Sequence, residues 1–318
     1  MPIQQPLNVH TEMDARLDCL RGTVVSLNTP FDEDGRIDFK SLERLLEFHL
    51  SEGACGFLVP AQAAEVLSLT PEERASIVST VRETTRGRAV VIAGATAANI
   101  PESFAMARHA VRVGCNGILS EPPIGMPLEF EPLFGYFEEV AHIGAPFLMI
   151  QDLDWRGSGM PIALIVRLFE ALPTFRCIKI EVNPAGPKYS AVLSATNGRL
   201  RVAGGWAALQ MIEALDRGVD TFMNTALVRF YRAVIDAHGS GDRSLAIKRF
   251  RDMLPVLAFT RQHLDISIAF HKRLFQHLNI FASAHVRKPG VPWDSYHERQ
   301  CTDLLSYVDK LYEGAVPF

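Results

Sequence analysis

The sequence lacks the features that mark secreted, membrane-spanning or metal-binding proteins. Its five cysteines are odd in number and form no CxxC pair, so neither a disulfide framework nor a cysteine zinc site is indicated. Its ten histidines include no HxH or HExxH pattern, and we predict no metal site. No apolar run is long enough for a transmembrane helix, and residues 1–17 hold no signal-peptide core. We therefore expect a cytoplasmic protein with reduced thiols and no membrane partner.

The charge balance excludes a second group of functions. Lys and Arg number 32 against 36 Asp and Glu, the formal net charge is −4, and the basic residues are dispersed. A surface that binds nucleic acid needs clustered basic residues, so we expect no nucleic-acid partner. Apolar residues, by contrast, are abundant: they fill 48% of the 318 positions, which is enough for a large core.

Short β-branched runs alternate with amphipathic helical stretches along most of the chain. Eight such pairs are what an α/β fold of the (β/α)8 TIM-barrel type requires, and most runs are continuously apolar, as expected for strands buried on both faces. The alternative, a doubly wound open sheet, usually has a glycine-rich first turn, and residues 27–31 (LNTPF) contain no glycine. The strands are predicted at 22–27, 55–59, 89–94, 116–120, 146–151, 176–181, 200–204 and 219–223, and the helices at 38–52, 71–86, 101–113, 128–142, 161–172, 187–194, 206–217 and 226–238.

Both ends of the chain are predicted to lie outside the barrel. Residues 1–20 are interpreted as an N-terminal leader and residues 21–240 as the barrel. Residues 241–318 are interpreted as a C-terminal helical extension that contains three further helices. No low-complexity linker separates the extension from the barrel, and we expect its helices to pack on one side of the barrel or at a subunit contact.

Lys179 stands out because it interrupts an apolar run, residues 176–181 (RCIKIE), that predicts a buried strand. Lysine is almost never fully buried without a partner. Barrels of this type carry their active sites at the C-terminal ends of the strands, where a desolvated amine can attack a ketone and form a Schiff base. The alternative is a structural ion pair with Glu181, which lies two residues on and points the same way.

Several motifs resemble, in order and spacing, the dihydrodipicolinate synthase/N-acetylneuraminate lyase family. The resemblance covers about residues 20–310, and its most specific parts are the segment LTPEER and the isolated lysine of the sixth strand. It implies a (β/α)8 barrel with a C-terminal helical extension, a homotetramer, and a covalent Schiff base between Lys179 and pyruvate or another 2-keto acid, with no cofactor. The motifs are TPF (29–31), DGRID (34–38), GFLV (56–59), EVLSLTPEER (65–74), VIAG (91–94) and RKPG (287–290).

A second set of residues is similar to a subgroup, the 2-keto-3-deoxy-sugar-acid dehydratases. The segments are Gln151-Asp152, residues 178–181 (IKIE), residues 184–188 (PAGPK) and Gly204-Gly205. The resemblance implies that Gln151, Asp152, Gly204 and Gly205 contact the substrate.

The sequence departs from the family pattern where synthases and lyases carry their proton relay. The family's Gly-Thr-Thr-Gly-Glu is here 61–65 (AQAAE), so only Glu65 matches, although backbone N–H groups at Ala63 and Ala64 can still hold a carboxylate. The family tyrosine at the end of strand five is here Ile150. Losing a general acid/base costs roughly 10²–10⁴-fold in rate, which disfavours dihydrodipicolinate synthesis.

Carboxylates at the predicted strand ends are the candidates to replace that relay, since burial can raise a carboxyl pKa into the useful range. We predict Glu65 and Glu181 as catalytic with Lys179, and Asn224 as substrate-binding. Each has a structural alternative: Glu65 as a loop brace, Asp152 as a turn former and Asn224 as a helix cap. Four further residues stay open between a site role and a structural one, namely Glu121, Arg156, Trp206 and Thr225.

We therefore predict a Schiff-base lyase that acts on a small 2-keto acid as a dehydratase or aldolase of 2-keto-3-deoxy sugar acids. One alternative is pyruvate condensation of the dihydrodipicolinate synthase type. Another is a catalytically inactive homologue that binds keto acids, which the missing threonines and tyrosine favour and the strand lysine disfavours.

Overall fold

The computed structural model describes residues 17–314, and eight parallel strands in it close into a barrel in chain order. Each strand pairs with its sequence neighbours, and the last pairs with the first, with Gly22 opposite Thr221. The predicted (β/α)8 barrel is thus confirmed. The strands are β1 (Gly22–Ser26), β2 (Gly56–Val59), β3 (Val90–Gly94), β4 (Gly117–Ser120), β5 (Phe147–Asp154), β6 (Phe175–Val182), β7 (Arg201–Gly204) and β8 (Thr221–Asn224).

Helices follow the strands and surround the barrel, and three more form the C-terminal extension. Both groups were predicted, the extension as three helices after residue 241. No helix within residues 17–314 combines the length and the apolar character needed to cross a bilayer. The barrel helices are α1 (Phe39–Ser51), α2 (Pro71–Thr85), α3 (Ile100–Arg112), α4 (Phe130–His142), α5 (Ile162–Ala171), α6 (Gly186–Ala195), α7 (Met211–Asp216) and α8 (Val228–Gly239), and the extension comprises α9 (Arg243–Thr260), α10 (Leu264–His277) and α11 (Ser295–Tyr312).

Side-chain alternation along the strands builds two cores. Residues on one face, such as Ile178 and Ile180, pack against the helices. Those on the other face, such as Cys177 and Met149, fill the barrel interior. The interior is tight: a Cβ on Gly117 would lie 2.4 Å from the ring of Phe147. Close packing of the lower barrel leaves room for a ligand only towards the C-terminal ends of the strands.

Reciprocal hydrogen bonds between Thr70 and Glu73 fix the start of α2. Thr70 accepts a hydrogen bond from the backbone N–H of Glu73, and the Glu73 carboxylate accepts one from the backbone of Thr70. This capping box, with Pro71 in the first turn, satisfies two otherwise unpaired donors and contributes about 1 kcal/mol.

Arg287 joins this cap to the other family motifs, and we call its contacts the Arg287 clamp. Its guanidinium donates to both carboxylate oxygens of Glu73, at 2.8 and 2.9 Å, and to the carbonyls of Gly35 and Ser68. It also lies 4.1 Å above the ring of Phe31. Four of the six motifs that carry the family resemblance, TPF, DGRID, EVLSLTPEER and RKPG, therefore meet at one structural contact.

Two predicted boundaries differ from the structure by three residues or more. The strand predicted at 146–151 continues to Asp154, so Asp152 lies within β5 rather than after it. The helix predicted at 206–217 begins only at Met211, because Trp206 and Ala208 adopt positive φ angles that a helix does not accept. The leader predicted at 1–20 lies outside the described residues up to position 16.

Candidate active site

Lys179 lies in the C-terminal half of β6 and points into the barrel interior, above Cys177 on the same face. Its residue exposure is 5%. Neighbouring strands hold it from both sides, with Gln151 of β5 and Ala203 of β7 in register. The position matches the expectation of an amine at the inner, C-terminal end of the sixth strand.

Glu181 is the ionic partner of Lys179, and the prediction that both point the same way is confirmed. The distance from the Lys179 Nζ to the Glu181 Oε1 is 3.3 Å. Gln151 donates its Nε2–H to Glu181 Oε2 at 2.5 Å, and the backbone N–H of Trp206 donates to Oε1 at 2.7 Å. Two donors and an ammonium group therefore fix this carboxylate beside the amine.

Glycine at position 205 makes that arrangement possible. A Cβ there would lie 2.3 Å from both the Cγ and the Oε1 of Glu181. A Cβ on Gly204 would instead point to the opposite face, 3.3 Å from the hydroxyl of Tyr189 and 3.4 Å from Phe222. Of the two glycines predicted to bind substrate, Gly205 faces the site, and Gly204 faces the layer between strand and helix.

A small cavity of about 50 Å³ opens above Lys179, and we call it the lysine cavity. Trp155 and Trp206 lie on its outer side, with ring centroids 4.7 Å apart. Trp206, whose role the sequence left open, therefore lines the site. The remaining lining comes from Ser26, Ala61, Gln62, Ala63, Lys179, Glu181, Met223, Thr225, Leu264 and Ser267.

The segment after β2 reaches the site through backbone. Ala63 lines the lysine cavity, and its carbonyl accepts a hydrogen bond from Asn28 at 2.6 Å. The carbonyl of Ala64 accepts one from Thr29, and its N–H donates to the carbonyl of Ala61. The N–H of Ala64 is thus already bonded within its turn, which leaves Ala63 better placed to meet a ligand.

Glu65 points away from the lysine cavity. Its carboxylate forms an ion pair with Lys272 of α10 and accepts the backbone N–H of Arg287 at 2.9 Å. Burial lowers the pKa of Lys272 to about 8, against the opposing effect of Glu65. These contacts are those of the loop brace, the structural alternative to the catalytic role predicted for Glu65.

Gln151 and Asp152 point to opposite faces of β5, as successive strand residues do. Gln151 faces Glu181 in the interior. Asp152 lies on the outer face, where it forms an ion pair with Lys188 and accepts the N–H of Met160 at 2.8 Å. Burial raises the pKa of Asp152. Its contacts fix the loop that carries Trp155, and they do not place it in the lysine cavity.

Asn224 and Thr225 also separate. The side chain of Asn224 donates to the carbonyl of Ala226 at 2.7 Å, a local contact at the end of β8, whereas Thr225 lines the lysine cavity. Arg156 is exposed and lines no part of that cavity. Thr225 is therefore the residue of this group that the structure brings to Lys179.

Glu121 follows β4 and is the second carboxyl group near the amine. Burial raises its pKa, and the nearby charge of Glu181 adds to the effect, while Lys179 and a hydrogen bond from Gln62 oppose it. Its backbone N–H donates to Thr96 at 3.1 Å. The site thus holds two carboxyl groups in different environments.

Sequence reasoning missed part of the site. Ser267 and Leu264 of α10 line the lysine cavity from the C-terminal extension, and Ser26 and Met223 line it from β1 and β8. The last two could have been found from strand alternation alone. Nothing local in the sequence marks Ser267, because its approach depends on how the extension packs.

The sequence matches the Dihydrodipicolinate synthetase family over residues 19–308. The chain belongs to this family. Among curated proteins, an "Uncharacterized DapA-like lyase" of Rhizobium meliloti is 29% identical over 236 residues, which cover 71% of this chain and 76% of the relative. The assignment of a lyase of this family therefore rests on the sequence match as well as on the fold.

Solved structures agree with the fold. The dihydrodipicolinate synthase of Rhodopseudomonas palustris has a TM-score of 0.83 at 22% identity, and covers 91% of this chain and 98% of its own. The prophage protein YagE of E. coli, solved in complex with pyruvate, has a TM-score of 0.83 at 20% identity, with 91% and 98% covered. At these identities the two structures show the shared fold.

Within this family fold, the chain differs at the positions of the expected proton relay. Ala63 and Ala64 carry no hydroxyl, and the side chain of Ile150 is buried in the layer between strands and helices, so the β5 residue that faces the amine is Gln151. An amide does not exchange protons as a general acid/base. The ionisable groups placed around Lys179 are Glu181 and Glu121.

Proposed function

We propose that the protein is a lyase that forms a Schiff base between Lys179 and a 2-keto acid and removes water from a 2-keto-3-deoxy sugar acid. One observation carries the proposal: a buried amine inside the barrel has a carboxylate 3.3 Å away that two neighbouring N–H donors hold in place. An aldolase reaction of the same substrates would use the same Schiff base.

The first step needs an amine that meets the keto carbon in a site closed to bulk water. The Lys179 nitrogen attacks C2, and the former carbonyl oxygen leaves as water, so an iminium group forms. The positive nitrogen withdraws electrons and makes the C3 hydrogens acidic. The backbone around Ala63 is where the substrate carboxylate would bind.

Two carboxyl groups in unlike environments suit the next two steps. Glu181, beside the amine and bonded by two donors, takes a proton from C3 and leaves an enamine. The enamine then expels the C4 hydroxyl group, which takes a proton from Glu121, whose pKa is raised by burial. Hydrolysis of the product iminium releases the product and restores the amine. The substrate loses one water molecule in total.

Two observations favour this reaction over pyruvate condensation of the dihydrodipicolinate synthase type. The hydroxyl groups of the expected relay are replaced by Ala63, Ala64 and Ile150. The proposed base of the dehydration, Glu181, lies 3.3 Å from Lys179, and the proposed acid, Glu121, is near enough for its charge to interact with that of Lys179. The third alternative, an inactive keto-acid-binding homologue, is disfavoured because a carboxylate and an amine are kept together in an enclosed cavity.

The remaining expectations belong to the same proposal. The covalent bond to Lys179 provides the electron sink, so no separate cofactor or metal is required by the steps above. A small 2-keto acid is the partner, and a homo-oligomer, most simply the tetramer that the family resemblance implies, is the expected assembly. Light scattering on the purified protein tests the assembly directly.

Borohydride trapping tests the function. The protein is incubated with pyruvate or a 2-keto-3-deoxy acid and reduced, and the intact mass and the modified peptide are then measured. We expect one adduct per chain, on Lys179, with the other buried lysines, Lys188 and Lys272, unmodified. A 2-keto-3-deoxy acid should also yield a product lighter by one water. A folded protein that forms no adduct with any keto acid refutes the proposal.

A further inference from the structure

A second and much larger cavity lies next to the lysine cavity, and we call it the side cavity. Its volume is about 510 Å³. Trp155, Glu181 and Trp206 line both cavities. The two spaces therefore adjoin at the carboxylate and at the tryptophan pair, close to the amine.

The difference in size decides where a substrate can extend. The lysine cavity, at about 50 Å³, has about a tenth of the volume of the side cavity, at about 510 Å³, so it suits the reacting end of a keto acid. The rest of a longer substrate must lie elsewhere. The side cavity is the adjoining space that is large enough, and its tryptophan and proline surfaces suit a carbon chain.

The charged side chains that line the side cavity differ in whether they form an ion pair. Glu181 is paired with Lys179, and Glu213 is paired with Arg217 at 2.8 Å. Arg261, which follows α9, donates to the carbonyl of Trp206 and lies 4.4 Å from the centre of its ring. Across residues 17–314, no carboxylate oxygen is placed within 4.0 Å of the Arg261 nitrogens.

Arg261 can still bind an anionic ligand. Burial lowers the pKa of Arg261 to about 10, still well above neutral pH, so the group stays charged. Arg261 is partly buried, and a partly desolvated cation that forms no ion pair gains from a bound carboxylate. Its planar fork of N–H donors matches a carboxylate in two parallel hydrogen bonds. Only one of its nitrogens, Nη1, is engaged by the Trp206 carbonyl.

We propose that Arg261 binds a second carboxylate at the far end of the substrate, so that the substrate class is a 2-keto dicarboxylic acid. This inference rests on the proposed Schiff-base function and names its substrate class. A carboxylate is favoured over a phosphate because a single arginine neutralises one charge and two glutamates share the cavity. Arg156, the arginine that the sequence suggested for a distal carboxylate, is exposed and does not line the side cavity.

The test compares keto acids that differ only at the far end. The concentration that gives half-maximal borohydride trapping on Lys179 is measured for 2-oxoadipate, for its distal monomethyl ester and for 2-oxohexanoate. We expect 2-oxoadipate to saturate at a concentration lower by about 10- to 100-fold, the range of charge-assisted hydrogen bonds. An ester that saturates as well as the diacid overturns the proposal without use of a variant.

Substitution then assigns the effect to Arg261. Arg261→Gln should remove the preference for 2-oxoadipate over its monomethyl ester and over 2-oxohexanoate, with all three acids measured on the same variant so that any general change in trapping cancels. Arg261→Lys should retain part of the preference, because it keeps the charge and loses the fork. A preference that survives in Arg261→Gln overturns the assignment. Tighter trapping of 2-oxo-5-phosphonopentanoate than of any diacid overturns the choice of carboxylate.

A separate measurement distinguishes failure of this inference from failure of the Schiff-base function. If pyruvate gives no adduct, the proposed function fails. The side cavity is then tested with adipate against hexanoate, which lack a keto group, through the rise in thermal unfolding temperature. A rise with adipate that Arg261→Gln abolishes supports the carboxylate site on its own, and equal responses to the two acids refute it.

Discussion

Replacing Glu181 by glutamine separates two steps that the site is proposed to catalyse. Glutamine has the same shape, and its one carbonyl oxygen can still accept the backbone N–H of Trp206. It carries no charge and cannot take a proton from carbon. We therefore expect Glu181→Gln to form the Schiff base on Lys179 and to fail at proton abstraction from C3.

The geometry sets the magnitudes. At 3.3 Å and an effective dielectric constant of about 20, the Lys179 and Glu181 charges attract each other by about 5 kcal/mol. Glu181→Gln removes this attraction and leaves the amine and its cavity in place, so trapping on Lys179 should be retained. Loss of a general base typically slows a proton transfer by about 10²–10⁴-fold, which corresponds to about 3–5 kcal/mol in the activation barrier.

Exchange of the pyruvate methyl hydrogens in deuterium oxide, followed by proton NMR, measures this step alone. Wild-type protein should exchange them, and Glu181→Gln should do so about 10²–10⁴-fold more slowly. Glu121→Gln should retain exchange and lose dehydration, since it acts on the leaving hydroxyl. Glu47→Gln is the matched control, because Glu47 is an exposed glutamate paired with Arg88. Unchanged exchange in Glu181→Gln would refute the assignment of the base.

Three further outcomes follow from the packing and the ionisable groups. Gly205→Ala should slow methyl exchange by at least about tenfold and lower the free energy of unfolding in urea by about 1–3 kcal/mol. Gly204→Ala, whose new Cβ would have its nearest contact at 3.3 Å, should do neither. Equal effects of the two variants would contradict the geometry. Arg287→Met should lower the free energy of unfolding by about 3 kcal/mol, and no loss would contradict the clamp. Burial lowers the pKa of His49 to about 3 and that of His271 to about 4, from 6.5, so the unfolded chain binds protons first as pH falls. The stabilisation from the two neutral histidines is complete above pH 6.5. The free energy of unfolding should fall towards pH 4 by up to about 2.7 kcal/mol per pH unit, and His49→Phe should halve this slope. A free energy of unfolding that does not change with pH over this range would contradict the prediction.

The fold could be predicted because its signals are local. Each strand is a short apolar run, and several helices begin at a capping residue that the sequence shows directly, as at Thr70. The boundaries that failed are those where tertiary contacts decide. β5 extends to Asp154 because it stays paired with β6, and α7 starts late because Trp206 turns its backbone N–H towards Glu181.

The site was predictable only in part for the same reason. The spacing of Lys179 and Glu181 fixes their common face, since a strand alternates with period two. The family pattern pointed to Glu65 and Asp152. It gives no sign that each carboxylate forms an ion pair with a helix lysine, Lys272 for Glu65 and Lys188 for Asp152. Ser267 and Arg261 come from the extension, whose position beside the barrel is set by packing rather than by any local motif.

The Arg287 clamp has a consequence for how the chain is made. Arg287 is 222 residues from Glu65 and 252 from Gly35, and all eight strands precede it. Synthesis runs from the N-terminus, so the ribosome releases the whole barrel before the residue that fixes the loop next to the lysine cavity. A chain cut short before this point would contain every residue proposed for the chemistry and still lack a rigid site. Completion of the active site is therefore coupled to completion of the polypeptide, and truncated products would be recognised by their loose loops as substrates for proteolysis.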